Sequence, residues 1–304
     1  MIGMDVYTGM KNGTLVKGRY RIGCPLGAGG CGNVFAAFDE ADGGVPVAVK
    51  IQRDRTFELT RQFVDDRERF VAERDYLQRL SGIPGIPRYR DHGEYGDSQF
   101  IVMDQLSGEP LDGYIVNPGV HATEVAASVI DQLCEIVEEI HRRNLVHRDI
   151  KPENVIVGDN GDIRLLDVGF ALPISFTPEK PYGTAGFAAP EQYHQGTPAT
   201  VACDIYSLGC VLFAMLNLQP YGGNARDARR DAAAFGPETT VTVDPGLYRL
   251  GCEMVAVDPA ARPAGSRAVR RRLIPFLPVP GAPRNPKLIG PDVTARYRKA
   301  RCRR

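Results

Sequence analysis

Asp149 lies in the run His147-Arg148-Asp149-Ile150-Lys151-Pro152-Glu153-Asn154, and Asp167-Val168-Gly169 follows one short hairpin later. Val155 to Val157 reads as a strand, Gly158-Asp159-Asn160-Gly161 as a turn and Ile163 to Leu166 as the returning strand. That spacing predicts that Asn154 and Asp167 meet at the hairpin's open end. An amide oxygen and a carboxylate converging there suit magnesium, a hard cation that takes oxygen ligands and is usually shared with substrate phosphates. Asp149 can then approach an acceptor hydroxyl. The chemistry these groups could do together is phosphoryl transfer.

Other elements must position them. Tyr20 to Pro25 reads as a strand leading into Leu26-Gly27-Ala28-Gly29-Gly30-Cys31-Gly32-Asn33-Val34, followed by β-prone Phe35 to Phe38 and Val45 to Ile51. A GxGxxG spacing alone also fits a dinucleotide fold, in which a helix follows the glycines. Here an apolar, strand-forming stretch follows, which favours a glycine-rich hairpin lid over either that fold or a merely flexible turn. Val47-Ala48-Val49-Lys50 alternates as a strand does, with an exposed lysine as the bland reading of Lys50. Along Phe70 to Leu80 the helical period puts Phe70, Leu77 and Leu80 on one apolar stripe, and Glu73 falls on it. A carboxylate turned inward wants a cation, and Lys50 is the obvious candidate, ahead of any use of Asp75 or Glu68. Ala126, Val129, Ile130, Leu133, Val137 and Ile140 form an amphipathic stripe that delivers the chain to Asp149. Ile205 to Leu216 is apolar nearly all round, as a buried central helix would be.

From about Tyr20 to Pro263, these motifs and their order resemble the Hanks-type (eukaryotic-like) serine/threonine protein kinase family. The resemblance implies an α+β, bilobal protein-kinase-like fold. A small antiparallel β-sheet N-lobe with one main helix would occupy residues 20–106, and a larger, mostly helical C-lobe residues 107–274. It implies transfer of the γ-phosphoryl group of ATP to serine or threonine hydroxyls of protein substrates, with Mg2+, or Mn2+ in its place. Gly27, Gly29 and Gly32 would approach the phosphates, and Lys50, held by Glu73, would pair with the α- and β-phosphates. Val34, Ala48 and Ile156 would sandwich the purine, Met103 would be the gatekeeper, and the backbones of Asp104 and Leu106 would bond adenine. Asp149 would orient the hydroxyl and accept its proton, Lys151 would neutralise phosphate charge, and Asn154 and Asp167 would hold the metal. Asp204 resembles the aspartate that holds the catalytic-loop backbone, and is otherwise an N-cap. Lys151 and Gly183-Thr184-Ala185-Gly186-Phe187 match the serine/threonine class, with Thr184 positioning the substrate pocket. Ala189-Pro190-Glu191 and its ion-pair partner Arg262 match a platform for protein substrates.

Three departures qualify the resemblance. Val168 stands where phenylalanine is usual, in a column expected to include Leu77 and His147, and buries less apolar area at a cost of about 1–3 kcal/mol, unless Phe170 refills the gap. The alternative function is therefore a pseudokinase or ATP-binding regulatory scaffold. Cys31 sits at the tip of the glycine-rich loop, as an inert thiol or as one whose oxidation blocks the lid. Residues 221–250, with Gly222-Gly223, Arg229-Arg230 and Thr239-Thr240, read as a shortened or irregular segment. Arg148 beside Asp149 fits an activation segment ordered by a phosphate, with autophosphorylation at Ser175 or Thr177, or equally one in which it bonds backbone carbonyls.

Composition agrees. The 304 residues suffice for two lobes, 43% are hydrophobic, and basic and acidic residues number 37 each, so no global charge points to nucleic acid or membrane. Seven cysteines, scattered without CxxC spacing, favour reduced thiols and a cytoplasmic setting. No transmembrane segment is expected: the longest apolar run, Ile205 to Leu216, is too short and carries Ser207. Residues 1–19 read as a flexible leader without a signal core. Residues 275–304 read as a proline-rich, basic, solvated tail, from Pro275, Pro278, Pro280, Pro283 and Pro286 to Arg296, Arg298, Lys299, Arg301, Arg303 and Arg304, which could contact acidic partners.

Overall fold

The computed structural model describes residues 10–28, 32–52, 61–117, 119–218 and 243–299. Gly29 and Cys31 of the glycine-rich run, the Gly222-Gly223, Arg229-Arg230 and Thr239-Thr240 stretch, and Arg301, Arg303 and Arg304 lie outside these. The chain divides into two compact units, residues 1–106 and 107–304.

In the first unit, period-two alternation of apolar residues makes a sheet. Strands β1 (Leu15–Val16), β2 (Tyr20–Ala28), β3 (Gly32–Asp39), β4 (Val45–Gln52), β5 (Tyr89–Tyr95) and β6 (Ser98–Asp104) pair antiparallel in the order β1-β2-β3-β4-β6-β5. Val47, Val49 and Ile51 of β4 join Tyr20, Ile22, Phe35, Phe100 and Val102 in the core. Alternation leaves Ala48 and Lys50 on the opposite face of that strand. Helix α1 (Arg61–Leu80) turns Phe70, Glu73, Leu77 and Leu80 inward, all buried. Part of the expected leader is structured: Met10 and Val16 enter the core, and β1 pairs Val16 with Tyr20. The turn between them rests on Lys17 (φ 54°) and Gly18 (φ 63°), which let two apolar side chains fold back onto the sheet.

The second unit is mostly helical. It comprises β7 (Glu109–Pro110), α2 (Leu111–Ile115), α3 (Thr123–Arg142), β8 (Leu145–Val146), β9 (Val155–Val157), β10 (Ile163–Leu165), β11 (Leu172–Pro173), α4 (Val201–Met215), α5 (Pro245–Met254), α6 (Ser266–Leu273) and α7 (Ala295–Arg298). The stripe from Ala126 to Ile140 on α3 is fully buried, and α4 is buried almost all round. Between them they fix β8 and the loop that follows. Strands β9 and β10 pair antiparallel, Ile163 opposite Val157, about a turn whose Gly161 has φ 82°.

Two sequence expectations need correction here. The segment read as irregular to residue 250 is a regular helix from Pro245, because Asp244 caps it by accepting from Gly246 N (2.7 Å) and Leu247 N (3.3 Å). Residues 275–299 are not a solvated linker. Leu288 and Val293 are buried, and Arg296 pairs with Glu135 of α3 at 2.9 Å. Proline sets that backbone extended, but two apolar anchors and a carboxylate on α3 hold it against the unit. Among the described residues, no helix is long and apolar enough to cross a membrane.

Candidate active site

In the second unit, the loop after β8 carries Asp149, and its backbone is held from below. Asp204, fully buried in the first turn of α4, accepts from His147 N (2.9 Å) and Arg148 N (2.8 Å) and is bonded to His141 Nε2 (2.8 Å). The N-cap of α4 is Thr200, so Asp204 serves the loop rather than the helix end. His147 completes the brace: Nε2 donates to Leu166 O at 3.1 Å while Nδ1 accepts from Asp149 N at 3.3 Å. Arg148 and Asp167 both adopt left-handed backbone, φ 67° and 55°. Such conformations persist in non-glycine residues only where the surroundings over-determine them. The two Asp204 bonds do so at Arg148, and Gly169 N donating to Asp167 Oδ1 (3.1 Å) does so at Asp167.

Three side chains converge on the Asp149 carboxylate. Thr184 Oγ1 donates to Oδ1 at 2.6 Å, while Asn154 Nδ2 (2.9 Å) and Lys151 Nζ (3.0 Å) meet Oδ2. Lys151 also donates to Thr184 Oγ1 at 3.0 Å. With both oxygens hydrogen-bonded and a cation adjacent, the carboxylate is held in one orientation and aimed. Asn154 Nδ2 also donates to Asp149 O (2.8 Å), which leaves the amide oxygen for a cation. Leu166 N donates to Asn154 O at 2.7 Å, tying the residue before Asp167 to Asn154. One amide oxygen and one carboxylate at this end of the hairpin fit magnesium, which keeps water and phosphate oxygens in its remaining positions. Ile156 lies nearby on β9, opposite Arg164 and Pro110.

In the first unit, Lys50 Nζ meets Glu73 Oε1 at 2.5 Å, with both side chains about 5% exposed or less. Neighbouring strands set out the other expected residues: Gly27 opposite Val34, Val34 opposite Lys50, Ala48 opposite Met103 and Val47 opposite Asp104. The glycine-rich run therefore turns strand into strand, not strand into helix. Gly32 has no room for a side chain, since a Cβ would come 2.5 Å from Ile51 O, whereas Gly27 faces open space. Asp104 N donates to Arg88 O at 2.9 Å, so of its two backbone groups only the carbonyl is left to meet a ligand. Leu106 follows the end of β6.

Two groups escaped the sequence reading. Gln192, 4% exposed, donates from Nε2 to Arg148 O (3.1 Å) and Tyr182 O (3.2 Å) and accepts from Ala189 N (3.3 Å). It thereby stitches the loop of Asp149 to the segment carrying Thr184. His141 bonds Asp204. A glutamine after Pro190-Glu191 and a histidine ending an amphipathic helix both read as surface residues, with no local signal of their partners. Phe170 stacks on Tyr182, centroids 3.4 Å apart, while Val168 is buried. Arg262 forks onto Glu191 (2.6 and 2.8 Å) and lies over the Tyr206 ring. Ser175 has φ 69° with its N–H on Ala199 O (2.8 Å), and Thr177 is exposed.

Comparison with known proteins agrees with this geometry. The protein kinase domain model matches residues 20–274. The chain is 33% identical over 221 residues to the probable serine/threonine-protein kinase PknB of Lactococcus lactis, covering 70% of this chain and 34% of that protein. It is 33% identical over 222 residues to the serine/threonine-protein kinase PknA of Mycobacterium tuberculosis, covering 70% and 50%. With serine/threonine-protein kinase PrkC of Bacillus subtilis it shares 31% identity over 221 residues, covering 70% and 33%. The chain belongs to the protein kinase domain family. It spans about a third to a half of the length of these curated relatives.

Proposed function

We propose that this chain is a serine/threonine protein kinase, transferring the γ-phosphoryl group of ATP to hydroxyls of protein substrates. The observation that carries the reading is the Asp149 carboxylate, held at both oxygens by Thr184, Asn154 and Lys151 within 3.0 Å. Phosphoryl transfer spreads charge over the transferring oxygens, so positioning and electrostatic stabilisation carry the rate. Asp149 orients the acceptor hydroxyl and takes its proton. Lys151 neutralises developing charge beside it. Lys50, kept extended by Glu73, pairs with the α- and β-phosphates. Gly27, Gly29 and Gly32 bring backbone N–H groups to the phosphates. Val34, Ala48 and Ile156 take the purine beside Met103, with the Asp104 carbonyl and the Leu106 backbone on its polar edge. Asn154 and Asp167 hold Mg2+, or Mn2+, which supplies charge neutralisation at the phosphates when bound. Of the two candidate autophosphorylation sites, both exposed, Thr177 is better presented than Ser175, whose backbone is fixed in the left-handed region. Free thiols at Cys134, Cys203 and Cys210 fit a cytoplasmic setting.

The test incubates purified protein with labelled ATP, magnesium and a generic basic protein, beside Asp149→Asn. Loss of positioned acid–base catalysis should lower transfer on the order of 100-fold to 10,000-fold while ATP affinity is retained. Nucleotide binding without transfer by the parent would favour an ATP-binding scaffold, the reading that buried Val168 supports. Undiminished transfer by Asp149→Asn would remove Asp149 from its role.

A further inference from the structure

Residues 275–299 lie beyond the stretch that matches the kinase family, yet they close over the turn of the β9–β10 hairpin. Two close approaches leave room for them only because glycines stand there. A Cβ on Gly161 of the turn would come 2.2 Å from Asp292 O, and one on Gly119, between α2 and α3, would come 2.4 Å from Lys287 O. Both glycines also have positive φ, 82° and 81°, so each is suited to its place twice over. Gln132 of α3 is 3% exposed and connects three parts of the chain. Its Oε1 accepts from Ile163 N (3.1 Å), and its Nε2 donates to Gly161 O (3.3 Å) and Val293 O (3.2 Å). One buried amide thus joins the first residue of β10, the hairpin turn and the C-terminal segment. Tyr114 Oη donating to Pro291 O (2.8 Å) and Tyr297 Oη donating to Asp131 Oδ2 (2.8 Å) anchor that segment on either side of Val293.

We propose that Gln132 is a positioning residue for the transfer reaction and that residues 291–297 complete its setting. The C-terminal segment would then belong to the catalytic apparatus. Strands β9 and β10 have three residues each, too few ladder bonds to hold a hairpin rigid alone. Gln132 and the segment clamp its closed end, while Asn154 and Asp167 flank its open end. A misplacement of about 1 Å in groups of that kind costs on the order of 100-fold in rate. The inference rests on the proposed metal-holding role of those two residues.

The test uses the full chain. Gln132→Glu keeps an acceptor for Ile163 N but sets a carboxylate against two carbonyl oxygens; once protonated, its O–H restores one of those bonds. The introduced carboxyl therefore has its folded pKa raised above the unfolded value of about 4, so its support is complete at low pH and lost as pH rises through the folded value. Relative to the parent at the same pH, amide hydrogen exchange in residues 155–166 is expected to be near parental at about pH 5 and roughly tenfold faster at about pH 8. The kcat ratio should fall over the same range with KM for ATP unchanged. Tyr297→Phe removes one hydroxyl and leaves Gln132 intact; several-fold faster exchange in the same hairpin is expected, and this variant decides the matter if Gln132→Glu does not fold. Exchange in residues 155–166 equal to the parent in both variants, at both pH values, would overturn the proposal. A parent chain that transfers no phosphate would overturn the kinase reading instead, with hydrogen exchange still deciding whether the clamp exists.

Discussion

Gln192 donates to two backbone carbonyls, one buried and one half-buried. Its amide nitrogen serves Arg148 O and Tyr182 O together, one residue from Asp149 and two residues from Thr184. Gln192→Leu is close in volume but removes the donor from both, and a buried carbonyl left unpaired costs about 1–3 kcal/mol. We expect kcat to drop at least about tenfold, with KM for ATP little changed and stability reduced by about 2–4 kcal/mol. Steady-state kinetics beside urea unfolding would check this, and an effect confined to KM for ATP would contradict it. At this scale the sequence was informative where chemistry restricts residue type. Asp149, Asn154 and Asp167 could be singled out because few side chains suit the tasks proposed for them. Gln192 could not, since an amide signals nothing until its acceptors are known.

Among the elements, α4 and the loop after β8 are joined through Asp204. Burial pushes the Asp204 carboxyl up, but the hydrogen bond and charge of His141 and the bond from Arg148 N hold it below the usual carboxylate range. A depressed folded value means that its stabilisation is complete above the unfolded value of about 4 and is lost as pH falls through the folded one. Asp204→Asn removes the charge and one of the two oxygens that accept from the loop, at a cost of about 3 kcal/mol near pH 7. Urea midpoints measured from neutral to acid pH should therefore converge for parent and variant below about pH 4. A gap that stays constant would show that charge at Asp204 plays no part. The elements themselves were largely legible. The buried stripe of α3, Glu73 among the inward positions of α1 and the β9–β10 hairpin all follow from local period and turn chemistry. The α5 helix was missed because glycine and repeated polar residues before it masked the Asp244 cap.

For the whole molecule, burial sorts the thiols. Cys203 is pushed up to about 12 by burial and by Glu191, and burial likewise raises Cys134 and Cys210. Thiolate is the reactive form, so among the described cysteines exposed Cys24 should alkylate first at mildly alkaline pH, and these three only on unfolding. Mass spectrometry after timed alkylation would register the order; early modification of Cys210 would contradict the packing of α4. The sequence alone determined the family, because phosphoryl chemistry demands particular residue types in a particular order, and the secondary elements, because their periods are local. Only the tertiary structure decided that Met10 and Val16 belong to the sheet, that Gln132 and Gln192 bind loops together, and that residues 275–299 pack on α3. Those depend on pairings between distant residues, such as Arg296 with Glu135 and Gly161 against Asp292. Prolines and unpaired-looking charges mean a solvated chain by composition, and acquire another meaning only when a complementary surface stands beside them.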